Sequence, residues 1–164
     1  MIDRRAFLTL TAMAALAGCS SKFKTYDGPE VTRVVVMKGQ RALYLLHHDQ
    51  VLKAYRISLG YAPVGDKQIE GDGKTPEGRY HIDRRNPDSE FHLSIGISYP
   101  NEADIEEAKA LGRKPGGDIF IHGRARKNRR RKGDWTAGCI SVTDAEMEDI
   151  YAMVRDGTVI DIFP

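Results

Sequence analysis

The sequence predicts a mostly β domain with one or two short α-helices packed on it. Three observations predict this. Short β-branched or alternating runs recur from Val31 to Phe163, stretches rich in Gly, Pro and Asp separate them, and only two segments carry helix-capping signals. The 164 residues amount to one domain once an N-terminal leader is set aside. Hydrophobic residues make up 41% of the chain and charged residues 29%, an ordinary globular composition, and a formal net charge of +2 gives no global preference for a polyanionic partner. There is no internal repeat and no low-complexity tract.

Residues 1–18 read as an export signal peptide. Asp3-Arg4-Arg5-Ala6-Phe7-Leu8 is a charged start, Leu10 to Ala17 an apolar run, and Ala17-Gly18 are the small residues expected before a cut. The apolar run falls short of the roughly 20 residues that span a bilayer as a helix. Leu16-Ala17-Gly18-Cys19 resembles the lipobox of bacterial lipoproteins, in which cleavage exposes the cysteine for diacylglyceryl modification. Cys19 is therefore the expected lipidation site. The paired arginines followed by Phe7-Leu8 resemble a twin-arginine signal, with Asp3 where Ser or Thr is usual. Ser20 supplies no acidic retention signal after Cys19, which favours the outer membrane over the inner, with the domain on the periplasmic face of the envelope.

Residues 19–30 are small, polar and Gly/Pro-containing, the composition of a lipidated tether, so that the folded domain is expected at 31–164. Thr32 to Met37, Arg41 to His47 and Val51 to Ser58 read as strands, the last two forming a hairpin around His48-Asp49-Gln50. Gly60 to Gly78 reads as a long loop, and Thr75-Pro76-Glu77-Gly78 is a turn leading into a strand over Arg79 to Ile82. Phe91 to Tyr99 reads as a further strand. Asn101 caps a helix running to Leu111, with Asp104 in capping-box spacing and Gly112 as the stop. Thr143 and Glu146 repeat that spacing for a helix from Asp144 to Arg155. Strands over Asp118 to His122, Thr136 to Val142 and Val159 to Phe163 complete the pattern.

The chain has two cysteines, and the lipobox consumes Cys19. That leaves Cys139 alone in a compartment that favours disulfides, so it is either buried and inert or kept because it reacts. Its neighbours bear on the choice. In Trp135-Thr136-Ala137-Gly138-Cys139-Ile140-Ser141-Val142, small residues precede the thiol, which allows a substrate backbone to approach and leaves the Gly138 and Cys139 amides free to face a developing oxyanion. In Ile119-Phe120-Ile121-His122-Gly123, a histidine ends an apolar run where a sheet meets solvent, and Gly123 lets the chain turn. Pairing of the two strands brings His122 and Cys139 within hydrogen-bond reach, and the imidazole then generates the attacking thiolate. The plainer readings stand beside this one: a cysteine on a strand also serves as a small core hydrophobe, and a histidine at a strand end as a surface residue. A strand-end side chain carries little packing, so loss of the imidazole is expected to cost reactivity far more than stability.

His122-Gly123, a loop, then Thr136-Ala137-Gly138-Cys139-Ile140 resembles the signature of the L,D-transpeptidase catalytic domain, or YkuD domain. That signature is His-Gly or His-Ser, a variable loop, then Ser-His-Gly-Cys followed by Ile or Val and usually Arg. Ile57-Ser58-Leu59-Gly60 and Lys74-Thr75-Pro76-Glu77-Gly78 match the family's Gly…Thr-Pro-x-Gly stretch, so the resemblance runs from about Val31 to the C-terminus. It implies a β-rich, sandwich- or barrel-like fold with a cysteine nucleophile in a groove. Carried over, Cys139 is the nucleophile and His122 the general base; Gly123 orients the histidine through its carbonyl, and Gly138 falls at the oxyanion-hole turn. The implied reaction attacks the bond between meso-diaminopimelate and D-Ala in a peptidoglycan stem, forms a thioester, and resolves it on a second stem's amine, with no metal or organic cofactor. Water as acceptor makes the same site a carboxypeptidase or amidase. A catalytically silent wall-binding lipoprotein is the third reading, opposed by the intact His-Gly and Gly-Cys pairs. Ala137 stands where the signature has its second histidine and Ser141 where it has arginine, which removes a carboxylate anchor, so donor and acceptor preferences do not carry over.

His92, Trp135, Thr136 and Ser141 are the candidate substrate contacts; His92 also reads as a half-buried structural histidine, and Trp135 as a core residue. Arg124 to Lys132 is strongly basic and lies between base and nucleophile. It reads either as a solvated loop or as a cationic lid that attracts stem-peptide carboxylates or anionic head groups. Nucleic acid is not expected as a partner of an exported lipoprotein, nor is a metal at His81, Asp83 and Glu90, where no second cluster or Cys pair supports one. The expected partners are peptidoglycan stem peptides and the membrane, through the anchor, with the chain acting as a monomer.

Overall fold

The computed structural model describes residues 21–124, 128 and 130–164. The leader, Cys19 and residues 125–127 and 129 of the basic segment lie outside the described residues. Among the described residues the strands are β1 (Arg33–Met37), β2 (Ala42–His47), β3 (Gln50–Arg56), β4 (Gly78–Asn86), β5 (Ser94–Ile97), β6 (Phe120–His122), β7 (Ile140–Ser141) and β8 (Val159–Phe163), and two helices are α1 (Glu102–Ala110) and α2 (Asp144–Met153). They form one eight-stranded sheet in the order β3-β2-β1-β8-β4-β5-β6-β7. The chain leaving β3 turns to the far edge, where Ser58 and Ser141 exchange two backbone hydrogen bonds of 2.8 Å, so the sheet curls until its edges are bridged. That closure is what a β-rich, barrel-like fold requires.

Alternation explains which face is buried. Val34 and Val36 of β1, Leu43 and Leu45 of β2 and Ile160 and Ile162 of β8 point into the core, where they meet Ile95, Ile97, Ile121 and Ile140 and, from α2, Met147 and Ile150. Both helices begin in complete capping boxes, Asn101 with Asp104 and Thr143 with Glu146, as the spacing predicted.

The loop between β3 and β4 is held by two buried lysines. Lys38 Nζ donates to Gly65 O, Thr75 O and Glu77 Oε1 at 2.7, 2.9 and 2.8 Å, which uses all three ammonium protons. Lys67 Nζ donates to Ile69 O and Asp72 Oδ1, while Asp72 accepts from the backbone amides of Gln68, Ile69 and Lys74. Burial works against the Asp72 charge, but those amides and Lys67 outweigh it and hold the carboxyl below its ordinary range.

Several expectations are corrected. Phe91 and His92 precede the strand rather than begin it, since His92 adopts φ +81° and breaks the extended backbone; only Ser94–Ile97 pairs. The expected strand over Thr136 to Val142 is confined to Ile140–Ser141, because the Thr136 hydroxyl folds the preceding residues into a turn. β4 continues beyond Ile82 to Asn86, where β5 gives it a partner. The segment expected as a tether packs on the domain from Lys22 onward. Lys22 Nζ donates to Pro87 O at 2.6 Å, Phe23 rests 6.2 Å from the Tyr151 ring, and Lys24 Nζ lies 2.7 Å from Asp149 Oδ1. Among the described residues no helix is long and apolar enough to cross a membrane.

Candidate active site

Cys139 sits at the end of a tight turn that enters β7. Thr136 Oγ1 donates to Cys139 O at 2.6 Å and accepts from Gly138 N at 3.2 Å, so one buried hydroxyl fixes both ends of the turn. Gly138 has φ +134°, and a Cβ there would lie 2.7 Å from Lys74 O; only glycine fits. The Gly138 amide is thus occupied, contrary to the expectation that it faces an oxyanion. Among the described residues the Cys139 amide donates no hydrogen bond, which leaves it for that task. The thiol is half-buried and its Sγ donates to Asp118 O at 3.4 Å. Burial pushes the thiol pKa up, with the Phe120 amide, Lys67 and Arg84 acting in the other direction, so Cys139 rests protonated.

His122 ends β6, whose parallel pairing with β7 sets Ile121 beside Ile140 and His122 beside Ser141. The histidine is only 3% exposed, which corrects the expectation of a lightly packed strand end. Its ring lies 4.4 Å from the Phe91 ring and 5.8 Å from Trp135. His122 Nδ1 and Gly123 O are 2.6 Å apart, and since a carbonyl only accepts, the proton is on Nδ1 and Nε2 carries the lone pair. Burial lowers the imidazole pKa, opposed in part by the Gly123 carbonyl, so the ring is neutral. Gly123 is required by space, as a Cβ would stand 2.7 Å from Phe91 O and 2.8 Å from Asp144 Oδ1. That same Asp144 oxygen accepts from Arg124 N at 2.7 Å and pins the turn after the histidine to the start of α2.

Two cavities, about 290 and 370 Å³, share Phe91, His122 and Cys139 as a common wall. Asn86, Asp118 and Phe120 line the first; Asn128, Arg131, Trp135 and Ala137 line the second. The structure therefore gathers His122, Cys139, Trp135 and Thr136 around one cleft. The thiol's hydrogen bond to Asp118 O takes the place of the expected one to the imidazole. His92 and Ser141 are not brought into the cleft: His92 Nε2 lies 2.9 Å from Glu148 Oε1 on α2, and Ser141 is fully buried with its Oγ 3.5 Å from the Gly123 carbonyl. Ser141 thus meets the same carbonyl that fixes the His122 tautomer. Among the described residues no group of three or more His, Cys, Asp or Glu side chains is placed to hold a metal ion.

Sequence reasoning missed Phe91, Asp118, Asn128, Asp134 and Asp144. Asp134 accepts from Leu59 N at 2.9 Å and pairs with Arg41 at 2.8 Å, anchoring the chain just before Trp135. Its place between Gly133 and Trp135 was a signal in the sequence; the other four are defined by tertiary contacts alone.

A curled eight-stranded sheet thus sets a cysteine and a tautomer-fixed histidine on one cleft wall. The L,D-transpeptidase catalytic domain model (YkuD) matches residues 31–162, and the chain belongs to this family. YafK of Escherichia coli (strain K12), a provisionally assigned L,D-transpeptidase, is 31% identical over 132 residues, covering 77% of this chain and 48% of YafK. The chain thus spans about half the length of the curated relatives it matches. The crystal structure of Pgp2 from Campylobacter jejuni, described as a helical cell shape determining protein, superposes with a TM-score of 0.64 at 27% identity, covering 84% of this chain and 49% of Pgp2. An L,D-transpeptidase from Mycobacterium smegmatis shares the fold, with a TM-score of 0.56 at 15% identity over 82% of this chain and 59% of that one.

Proposed function

We propose that the protein is a peptidoglycan L,D-transpeptidase that acts through a thioester on Cys139. The observation that carries the reading is the common wall of the two cavities, where a protonated thiol and a neutral imidazole with a free Nε2 lone pair face the same space. The thiol leaves Asp118 O and passes its proton to His122 Nε2 as Sγ attacks the carbonyl between diaminopimelate and D-Ala. The Cys139 amide donates to the oxyanion that forms. The His122 imidazolium, disfavoured by burial, gives its proton to the departing D-Ala amine, and the thioester remains. An amine of a second stem then attacks that thioester, losing its proton to Nε2; the thiol leaves with the proton and an amide cross-link is formed. One cavity holds the acyl donor and the other receives in turn the leaving group and the acceptor.

Cys19 is the lipid attachment point in this reading, and the cleft works on the periplasmic face of the envelope, at the outer membrane. Only Ser20 and Ser21 separate Cys19 from Lys22, a reach of about 10 Å, and Lys22 is bound at Pro87, next to the loop that carries Phe91. The cleft rim is thereby held close to the lipid surface. Digestion of purified sacculi incubated with the protein tests the reaction. Diaminopimelate-to-diaminopimelate dimers that vanish with Cys139→Ala support it; tripeptide products without dimers would assign the site to hydrolysis, and unchanged sacculi would remove the activity.

A further inference from the structure

A third cavity, about 620 Å³, adjoins the cleft and is lined by four cationic side chains, Arg56, Arg124, Arg131 and Lys132, together with Arg41. Its acidic members are already engaged. Asp134 grips Arg41 at 2.8 Å, and Glu146 is held by its cap, Thr143, through bonds of 2.8 and 2.7 Å. Among the described residues no carboxylate forms an ion pair with Arg56, Arg124, Arg131 or Lys132. Arg124 donates from Nη1 to Arg131 O at 2.9 Å and from Nη2 to Ser58 Oγ at 3.4 Å, while its buried Nε has no partner among the described residues. A guanidinium donor left unsatisfied in a cation-lined cavity is costly unless an anion meets it.

Arg131 connects this cavity to the reacting centre. It lines both the cationic cavity and the cleft cavity that contains Cys139, and its guanidinium stands 5.2 Å from the centre of the Trp135 ring. It is the one permanent cation among the described residues lining that side of the cleft; the charged residues of the other side are Glu90 and Asp118. Ser141 is buried and uncharged, so a cation that recognises substrate on the Trp135 side has to come from the segment bearing Arg131.

We infer that the cavity formed by Arg56, Arg124, Arg131 and Lys132 is a carboxylate subsite, which takes an acidic residue of a peptide whose reacting bond lies at Cys139. Guanidinium groups suit this ligand because they meet a carboxylate with paired donors. The position of the reacting bond rests on the acyl-transfer reading, whereas carboxylate binding does not.

The test measures binding without chemistry. The Cys139→Ala protein is titrated by calorimetry with a stem tetrapeptide ending in diaminopimelate–D-Ala, and with the same peptide amidated at its glutamate carboxylate. The subsite predicts roughly tenfold or greater weakening on amidation, the size of one lost charge-assisted contact. Adding Arg131→Gln or Arg56→Gln should weaken the acidic peptide similarly and abolish its advantage. Both side chains are exposed, so the folded state is expected to persist, and near-UV circular dichroism checks it. Equal affinity for the two peptides, no binding of either, or full discrimination in both arginine variants overturns the subsite. Carbapenem acylation of the parent protein, with Cys139 and Arg131 intact, separates the two ideas: its absence defeats the acyl-transfer reading and leaves the binding result standing.

Discussion

At His122 burial and hydrogen bonding act on one ring in opposite senses: burial lowers the imidazole pKa and the Gly123 carbonyl raises it, with burial the larger. The base form is the neutral one, so the acid limb of the acylation rate should lie below about pH 6.5, the ordinary histidine value. The rate should be level from there through neutrality. A rate that instead climbs toward pH 9, measured with a chromogenic β-lactam, would follow the free thiolate and contradict the neutral pair. His122→Gln should slow acylation by about 100- to 10,000-fold. Because His122 is packed between Phe91 and Trp135, the variant's unfolding free energy has to be measured alongside. Gly138→Ala places a side chain at φ +134° and 2.7 Å from Lys74 O. A cost of about 2 kcal/mol or more, with loss of acylation, is expected from denaturant unfolding and mass measurement. At this scale His122, Cys139, Gly123 and Gly138 could be singled out in the sequence because each stands in a compact motif. Asp118 and Phe91 could not, since they reach the thiol and the imidazole through a backbone carbonyl and a ring brought in by the fold.

Among the elements, those governed by local rules were legible and those governed by tertiary contacts were not. The capping boxes at Asn101 and Thr143 and the alternation in Arg33–Met37 and Ala42–His47 need only neighbouring residues, and their positions match the sequence pattern closely. The run through Phe91 and Thr136 has strand-like composition, but a positive φ at His92 and the hydroxyl of Thr136 override it. The loop after β3 depends on Lys38, a residue of unremarkable sequence context whose ammonium is fully buried. Lys38→Met leaves Glu77 and two carbonyls without their donor, and should lower unfolding free energy by about 3 kcal/mol. Since that loop supplies Lys74 O behind Gly138, the variant should also acylate more slowly; a stability change under about 0.5 kcal/mol would show that the loop is held by other means.

For the whole molecule, His122 and the two carboxylates held below their ordinary range, Asp72 and Asp161, all respond to acid. The His122 pKa is lower folded than unfolded, so between about pH 6.5 and that lowered value the unfolded chain binds a proton that the folded chain does not. Stability therefore falls as pH drops through this window, and His122→Gln should remove the step. Asp161 lies between Arg79 and Arg33, and their hydrogen bonds hold its carboxyl below the ordinary range despite burial. Its contribution, like that of Asp72, is present above the ordinary carboxylate value and is lost as pH falls through the lowered one, which gives a second, separate decline. Urea unfolding from pH 8 to pH 3 should resolve both; a single decline near pH 4 in the parent protein would mean that His122 titrates alike in both states. The central claim is that Cys139 is a live nucleophile on this fold, and intact-protein mass after incubation with a carbapenem tests it most directly. The account predicts a mass increase of one drug molecule in the parent protein, strongly slowed in His122→Gln and absent in Cys139→Ala. An unmodified parent protein that is correctly folded, or an adduct that survives in Cys139→Ala, would contradict it.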